Sequence, residues 1–361
     1  MKILMVNTIN LEKNGITSFI VNSSIVLAKS GIDVTIGASN DITNELRDTL
    51  KANNIDYLKL PNRKQSLLTY YSRLKKYLIN NHFDLVHIHG NSTTMVLELL
   101  AAKKAGIKVR IAHSHNTTTE HPYVNKLLRL AFNSLVTGEI ACNNAAGEWL
   151  FDDNKFIVIK NGIFLNNYNY DSNIRKQIRN KLNIKSNNIL LGHVGFFNYQ
   201  KNHDFFLKLM PLLDEKYKLI LIGDGIEFQD FNKKVKAAHL ENRIICIGLT
   251  DKVANYLFAM DIFALPSRYE GQPFVIIEAI ATGLKCIISN NVSKEIDVTK
   301  NSSFIELDAE KWAKSIKNYK ENNRIEQYKN NQEILAQEGY DIVKNTKLLI
   351  NYYLELMEKE K

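Results

Sequence analysis

The stretch PSRYEGQPFVIIEA, residues 266–279, decides the fold. It follows Ile262–Leu265, a short apolar run of the length expected for a buried strand. A polar loop containing Glu270 comes next, and Pro273 suits the first turn of a helix, where its missing N–H is not needed. The apolar run Phe274–Ala281 then predicts a buried helix. Strand, loop and helix in this order form the repeating unit of a parallel sheet.

The same alternation extends in both directions along the 361 residues. In the first half the predicted strands are Ile3–Val6, Val34–Ile36, Leu85–His89, Val109–His113, Glu139–Cys142 and Phe156–Lys160. In the second half they are Ile189–Val194, Leu219–Ile222, Ile244–Ile247, Ile262–Leu265, Cys286–Ser289 and Phe304–Leu307. Helical periodicity separates them, as in Thr17–Lys29, Leu67–Asn80, Asp204–Leu213 and Lys252–Ala259. Two series of about six strands predict two doubly wound α/β domains.

The domain boundary is expected within residues 161–185, where a polar, glycine-containing stretch precedes a charged helix. We expect a first domain over residues 1–165 and a second over 166–340. Residues 341–361 read as a closing helix that packs back on the first domain. Parallel sheets bind ligands at the carboxyl ends of their strands, so two such domains facing each other would form a central cleft.

Composition excludes several classes of protein. No stretch reaches the ~18 apolar residues that a membrane span needs, and the amino-terminal apolar run is too short for a signal peptide. The cysteines Cys142, Cys246 and Cys286 form neither a disulfide framework nor a metal spacing. Buried, reduced thiols fit a cytoplasmic protein. The net charge is +9, but no basic patch is interleaved with stacking aromatics, which argues against a nucleic-acid partner.

Two acidic residues in the opening stretch carry the strongest functional signal. Glu270 lies in the loop before the helix, and Glu278 lies inside its apolar run, where a carboxylate is costly without a partner. A diphosphate could bind at the helix N-terminus. One acid could then reach sugar hydroxyls and the other a ribose.

Lys201 lies between the first strand and first helix of the second domain, within GFFNYQKNH at residues 195–203. A cation is disfavoured near a helix N-terminus unless an anion lies between them. A bound phosphate would satisfy both. A solvated surface lysine is the alternative interpretation.

Two loops of the first domain are weaker candidates. Gly15 lies between the first strand and the first helix, where it allows close backbone approach to a ligand or merely a tight turn. His113 and His115 end another strand. We expect His113 to face the sheet as a core residue and His115 to point toward the loop as the better ligand candidate.

The pair Glu270 and Glu278, within Glu-Gly-x-Pro-Phe, resembles the signature of retaining glycosyltransferases of the GT-B fold, family GT4. Lys201-Asn202, the turn LIGDG at residues 221–225 and Asn161-Gly162-Ile163 stand where that family has matching motifs. The resemblance covers essentially the whole chain and is greatest to transferases of bacterial capsular or exopolysaccharide synthesis. It implies two Rossmann-like domains facing a central cleft.

The resemblance also implies roles for individual residues. Glu270 would contact the donor sugar, Glu278 the ribose and Lys201 the phosphates, with His115 in the catalytic set. Gly248, Leu249 and Thr250 resemble the nucleobase contact. The rest of the expected donor-binding set is Gly15, Gly195, Asn202, Gly223, Gly271, Gln272, Pro273 and Phe274.

One position departs from the family pattern. The family usually has an arginine after the glycine at 195, where it helps to hold the diphosphate, and this chain has Phe196. Either Lys201 and the helix dipole suffice, or activity is reduced. A further view is that Phe196 packs in the core and another base, such as Arg268, serves instead.

The expected reaction moves a hexose or N-acetylhexosamine from a nucleotide sugar, with UDP as the expected nucleotide, to a saccharide or a polyprenyl-diphosphate-linked saccharide. Fixed positive groups would stabilise the leaving diphosphate. Retention of configuration is implied by the family alone. No cofactor and no metal are expected, since the sequence has no acidic cluster suited to Mg²⁺. A nucleotide-sugar epimerase and a non-catalytic partner subunit are the alternatives.

A basic stretch of the first domain suggests peripheral binding to anionic membrane. Between Tyr57 and Phe83 there are six basic residues and no acidic one. In the helix Leu67–Asn80 we expect one apolar side, while bases fall largely elsewhere and meet lipid headgroups. The residues expected on that side are Leu67, Leu68, Tyr71, Leu74 and Leu78, and the six bases are Lys59, Arg63, Lys64, Arg73, Lys75 and Lys76. A core-facing helix with a solvated basic face is the alternative.

Overall fold

The computed structural model describes residues 1–12, 14–119, 122–151, 155–270, 273–320 and 323–360. The chain divides into two compact units. Unit 1 comprises Met1–Ile163 together with Gly339–Lys361, and unit 2 comprises Phe164–Glu338.

Unit 1 is built on a sheet of parallel strands in the order β3-β2-β1-β4-β5-β6-β7. Strand β4 is buried along its whole length and β1 at every residue after Lys2, as expected when helices cover both faces of a parallel sheet. The strands are β1 (Lys2–Asn7), β2 (Asp33–Ala38), β3 (Asp56–Lys59), β4 (Leu85–Gly90), β5 (Val109–Ser114), β6 (Gly138–Ala141) and β7 (Ile157–Val158).

The helices of unit 1 include the last helix of the chain, which packs against the first. They are α1 (Gly15–Lys29), α2 (Asn44–Ala52), α3 (Leu67–Asn81), α4 (Val96–Lys104), α5 (Pro122–Leu127), α6 (Arg129–Leu135), α7 (Asn144–Leu150) and α15 (Ile342–Lys359), with a 3₁₀ turn at Thr93–Met95.

Unit 2 has a second parallel sheet in the order β10-β9-β8-β11-β12-β13. Its strands are β8 (Ile189–Val194), β9 (Tyr217–Ile222), β10 (Ile244–Gly248), β11 (Ile262–Leu265), β12 (Lys285–Ser289) and β13 (Ser303–Ile305). Its helices are α8 (Ser172–Lys181), α9 (Asp204–Leu209), α10 (Phe228–Ala237), α11 (Val253–Ala259), α12 (Phe274–Ala281), α13 (Ala309–Lys317) and α14 (Arg324–Gln337). Further 3₁₀ turns lie at Leu165–Tyr168, Met210–Leu212 and Lys294–Ile296.

The α/β class with two doubly wound parallel sheets is confirmed. Strands β8 and β11 have the bounds predicted from the sequence, and most others differ by one or two residues. The prediction missed β3, whose residues Asp56–Lys59 are half polar and pair with one neighbour at the edge of the sheet. Helix α9 is shorter than predicted, since its expected second half forms the 3₁₀ turn Met210–Leu212.

The apolar side expected on α3 is wrong. Tyr70, Leu74 and Leu78 are buried in the core of unit 1, whereas Leu67 and Leu68 are exposed at the start of the helix. Spacings of three and four residues identify an apolar stripe, but the first turn of α3 extends beyond the core that the stripe covers. The stripe therefore packs inside the protein and cannot insert into a membrane.

Arg63, expected among the membrane-facing bases, is directed into the protein. Its Nε lies 3.1 Å from Oε1 of Glu98, a fully buried carboxylate on α4. Burial raises the pKa of Glu98, while the guanidinium of Arg63 opposes that shift. The ion pair fastens the segment before α3 to α4. Losing either partner would be strongly destabilising, because the other charge would then be unpaired.

No helix within the described residues is both long and apolar enough to cross a membrane.

Candidate active site

Three loops interlock at the carboxyl ends of β8, β9 and β10 in unit 2. The amide of Gly195 donates to the carbonyl of Ile222 at 2.9 Å, and the amide of Gly223 donates to the carbonyl of Gly248 at 2.9 Å. Gly223 has φ of 139°, and a Cβ built there would lie 2.0 Å from the carbonyl oxygen of Gly195. Only glycine allows the first two loops to approach so closely.

The same packing holds Lys201 over the end of β8. A Cβ on Gly195 would lie 3.1 Å from Cδ of Lys201, so the lysine side chain lies directly on the glycine. The backbone amide of Lys201 donates a hydrogen bond to the side-chain oxygen of Asn198 at 3.0 Å. Asn202, with φ of 58°, donates its side-chain amide to the carbonyl of Pro266 at 3.0 Å. The lysine loop is thereby joined to the loop after β11.

Lys201 and Glu270 form an ion pair. Nζ of Lys201 lies 2.6 Å from Oε1 of Glu270, and their side chains are 16% and 10% exposed. The hydroxyl of Ser267 donates to the same carboxylate oxygen at 3.0 Å. The structure thus brings together the two strongest candidates for phosphate and sugar contact, with their charges neutralising each other.

Beside this pair, the guanidinium of Arg268 stacks 4.0 Å from the ring centroid of Tyr199. The amide of Arg268 donates to the carbonyl of Gln200 at 2.8 Å. Phe196 is 54% exposed, whereas its neighbour Phe197 is fully buried. The view that Phe196 packs in the core is therefore wrong, and Arg268 is a cation on the loop that carries Glu270.

Glu278 is the fifth residue of α12, and its hydrogen-bond partner is a different residue, Tyr168. Burial raises the pKa of its carboxyl, and a hydrogen bond from the hydroxyl of Tyr168 opposes that shift. Tyr168 comes from the 3₁₀ turn before α8. Sequence reasoning missed this tyrosine, because it stands more than a hundred residues away in the chain.

The remaining donor-binding candidates of unit 2 lie on its loops. Pro273 caps α12 and Phe274 is its first residue. Gly248 has φ of 78°, Leu249 is 64% exposed, and Oγ1 of Thr250 accepts the amide of Lys252. The candidates Gly271 and Gln272 lie outside the described residues.

In unit 1, Gly15 is the first residue of α1, and the side chain of Asn14 caps that helix. The expectation that His113 and His115 point in different directions is wrong. Their rings stack with centroids 4.1 Å apart, because side chains two residues apart along a strand share a face.

His115 also contacts a histidine that the sequence analysis did not single out. Its Nε2 lies 2.9 Å from Nδ1 of His89, at the end of β4. Burial lowers the pKa of His115 to about 3, so its imidazole is neutral at physiological pH. The repeated His-x-His at residues 87–89 and 113–115 was the signal that could have predicted this cluster.

In both units, residues predicted from the sequence as site residues therefore lie at the ends of strands. In unit 2 these are Lys201 and Glu270, bound directly to each other, and Gly195, Gly223, Gly248 and Asn202, which shape the loops. Glu278 binds Tyr168 instead. Within the described part of the chain, the group of histidine, cysteine or acidic residues close enough to share a metal ion is His87, His89 and His113.

Comparison with protein-family models gives two adjoining matches. Residues 13–166 match the model described as Glycosyltransferase Family 4, and residues 174–338 match Glycosyl transferases group 1. The two models together span most of both units.

Two curated relatives match most of the chain. The putative glycosyltransferase EpsF of Bacillus subtilis is 31% identical over 300 residues, which are 78% of this chain and 77% of EpsF. The UDP-Gal:alpha-D-GlcNAc-diphosphoundecaprenol alpha-1,3-galactosyltransferase of Escherichia coli is 29% identical over 72% of this chain and 71% of its own length.

Solved structures show the same fold. Anabaena HepE in complex with UDP superposes with a TM-score of 0.77 at 17% identity, covering 97% of this chain and 99% of HepE. A glycosyltransferase from Rickettsia africae gives a TM-score of 0.79 at 15% identity, covering 99% of this chain and 98% of that one. With the relationship to EpsF and the two family matches, this chain belongs to the family 4 glycosyltransferases and has the two Rossmann-like domains of the GT-B fold.

Proposed function

We propose that this glycosyltransferase moves a hexose or N-acetylhexosamine from a UDP-sugar to a lipid-linked saccharide in cell-surface polysaccharide synthesis, with retention of configuration. The observation that carries the proposal is the ion pair of Lys201 and Glu270 at the strand ends of unit 2. The pair supports the proposal because both charges are nearly buried at the strand ends, where a diphosphate and sugar hydroxyls would offer each of them a new partner. The alternatives of an epimerase and a non-catalytic subunit lose support, because the matched family is one of glycosyl transferases.

UDP as the nucleotide is supported by two comparisons. The Escherichia coli relative is named for UDP-Gal, and HepE was solved with UDP and with UDP-glucose. In this chain Gly248, Leu249 and Thr250 would contact the base, at the end of β10, where the backbone of Gly248 is left-handed.

Breaking the anomeric bond makes an oxocarbenium-like sugar and a diphosphate with additional negative charge. We propose that Lys201 exchanges Glu270 for the diphosphate when the donor binds. The cation then faces the oxygen on which charge develops, where a fixed positive group lowers the barrier. Glu270, released from the lysine, can accept hydrogen bonds from the hydroxyls of the donor sugar.

Glu278 would bind the ribose hydroxyls. Its carboxylate already accepts a hydrogen bond from Tyr168, which opposes the rise in pKa that burial causes. Two ribose hydroxyls would satisfy the remaining oxygen lone pairs and replace the lost hydration. Tyr168 would orient the carboxyl for that contact.

We propose that the acceptor binds unit 1 near His115. His115 is neutral, because burial lowers its pKa, so it can position an acceptor hydroxyl without adding charge. The leaving phosphate oxygen would take the acceptor's proton on the face from which it departs. This proposal requires no metal and no other cofactor.

The Escherichia coli relative is named for a diphosphoundecaprenol acceptor, and a lipid-linked acceptor requires access to a membrane. We propose that unit 1 binds the cytoplasmic face of an anionic membrane through the exposed start of α3 together with α5 and α6, and not through the stripe of α3 that packs in the core. The exposed apolar side chains of this surface are Leu67, Leu68, Tyr123, Leu127 and Leu130, with exposed Arg73, Lys76 and Lys126 nearby in sequence. The 3₁₀ turn Thr93–Met95 joins them. Arg63 donates to the carbonyl of Thr94, and Thr93 donates to Asn125 through its amide and its hydroxyl.

Neutralising the two glutamates should have different effects. Glu270→Gln should depress turnover with little change in UDP affinity, because its partner is the sugar. Glu278→Gln should weaken UDP binding roughly ten- to a hundred-fold, since a charge-assisted hydrogen bond contributes about 1.5–3 kcal/mol. Calorimetric titration of UDP against both variants is the measurement. Glu241→Gln, at an exposed position, is the matched control, and equal loss of UDP affinity in both site variants would show that the roles are misassigned.

Lys201→Ala should remove about 3–4 kcal/mol of transition-state stabilisation, the scale seen when one preorganised electrostatic donor is lost. Phe196→Arg should partly restore that variant, because residue 196 is exposed and leaves the same strand end. Comparing kcat/KM for both singles and the double gives the coupling.

Melting temperatures of the three proteins control for loss of folding. Near-normal activity of Lys201→Ala, with additive effects in the double, would mean that other groups hold the diphosphate. Arg268 is then the first candidate, because it is the cation on the loop of Glu270.

Membrane binding should depend on the exposed leucines of α5 and α6. Leu127→Glu with Leu130→Glu should abolish sedimentation with anionic vesicles, since each change places a carboxylate where an apolar side chain would insert. Ile226→Glu is a matched control in unit 2, because Ile226 and Leu130 are both 84% exposed. Binding should weaken in high salt; an unchanged double variant, or binding that ignores salt, would refute this surface.

A further inference from the structure

Unit 1 contains a buried histidine cluster that the proposed transfer reaction does not use. His87 and His89 lie two residues apart on β4 and therefore share a face of the sheet. Strand β4 pairs with β5 so that His89 lies opposite His113. All three side chains have no exposed surface.

The three rings bring ligand nitrogens close together. One nitrogen from each of His87, His89 and His113 lies within 4.8 Å of the other two. The buried atoms Nε2 of His87, Nε2 of His89 and both ring nitrogens of His113 have no hydrogen-bond partner. Buried polar atoms are nearly always paired, so several unpaired nitrogens in one cluster indicate a missing ligand.

The outer nitrogens of two of these rings are already occupied. Nδ1 of His87 lies 2.6 Å from the hydroxyl of Tyr353 on α15, and Nδ1 of His89 lies 2.9 Å from Nε2 of His115. Metal-binding histidines typically use one nitrogen for the metal and the other for such a partner, which fixes the ring orientation and the tautomer. Both rings have this arrangement, with Nε2 left for the ion.

We propose that His87, His89 and His113 bind one Zn²⁺ ion. Imidazole nitrogen is a preferred donor for zinc, and three histidines form a known zinc ligand set. Since Zn–N bonds measure about 2.0–2.1 Å, the rings would move inward by roughly an ångström on binding. The ion would join β4 to β5. It would also help to orient His115, because His89 contacts that ring.

The proposed zinc site is separate from any site for a metal ion bound to the donor diphosphate. The reaction proposed above needs no metal, and its phosphate-binding Lys201 belongs to unit 2. A zinc ion here would stabilise unit 1, because a ligand that binds only the folded chain raises its stability by mass action. UDP binding to metal-free protein should therefore be unchanged if both proposals hold.

The test uses the full chain without a histidine tag, freed of metal with a chelator and titrated with Zn²⁺. We expect about one Zn²⁺ per chain by equilibrium dialysis with elemental analysis, together with a rise in melting temperature. His113→Phe should lose at least ten-fold in zinc affinity and the zinc-dependent rise in melting temperature. His239→Asn, at an exposed histidine in unit 2, should behave like the unaltered chain.

The variant also guards against an effect of misfolding. His113→Phe removes two unpaired buried nitrogens and keeps a ring against Phe19, with which His113 now makes an edge contact at 4.9 Å. Without metal it should therefore melt no lower than the metal-free parent; if it fails to fold, His87→Phe replaces it in the same titration. Absence of stoichiometric zinc binding by the parent, or equal affinity in the folded variant, would overturn the proposal.

Discussion

The ion pair between Lys201 and Glu270 is the constraint on which the proposed chemistry depends. The two side chains are nearly buried. Ser267 donates a hydrogen bond to Oε1 of Glu270, the oxygen that Lys201 contacts. Each charge keeps the other stable in the absence of substrate, since an unpaired buried charge is costly. A donor that brings a diphosphate and sugar hydroxyls offers both residues new partners at once. In the proposed mechanism, donor binding is thereby coupled to the positioning of Lys201.

The backbone around this pair explains why it is held so closely. Gly223 can approach the carbonyl of Gly195 because it has no Cβ, and Lys201 lies on Gly195 for the same reason. The amide of Asn202 fastens the lysine loop to Pro266, at the start of the loop that carries Glu270. Preorganised groups of this kind need little rearrangement during reaction, which is the main source of electrostatic catalysis.

The sequence predicted the fold well because apolar runs and helical periodicity alternate along both halves of the chain. It missed the polar edge strand Asp56–Lys59, and it favoured membrane contact for the helix that carries Leu74 and Leu78, since spacing does not reveal what covers an apolar stripe. It identified Lys201 and Glu270 as separate candidates but not as a pair. The partners Tyr168 and His89 come from distant segments, and only the folded topology brings them to Glu278 and His115.

Transfer of a labelled sugar tests the central claim most directly. A panel of radiolabelled UDP-sugars would be incubated with the protein, with and without a polyprenyl-diphosphate-linked saccharide, and label would be followed into the lipid fraction. The account predicts that one UDP-sugar labels the lipid-linked acceptor with its anomeric configuration retained, and that Lys201→Ala greatly slows this transfer. Inversion at the anomeric carbon, or no transfer from any UDP-sugar to any saccharide acceptor, would contradict it.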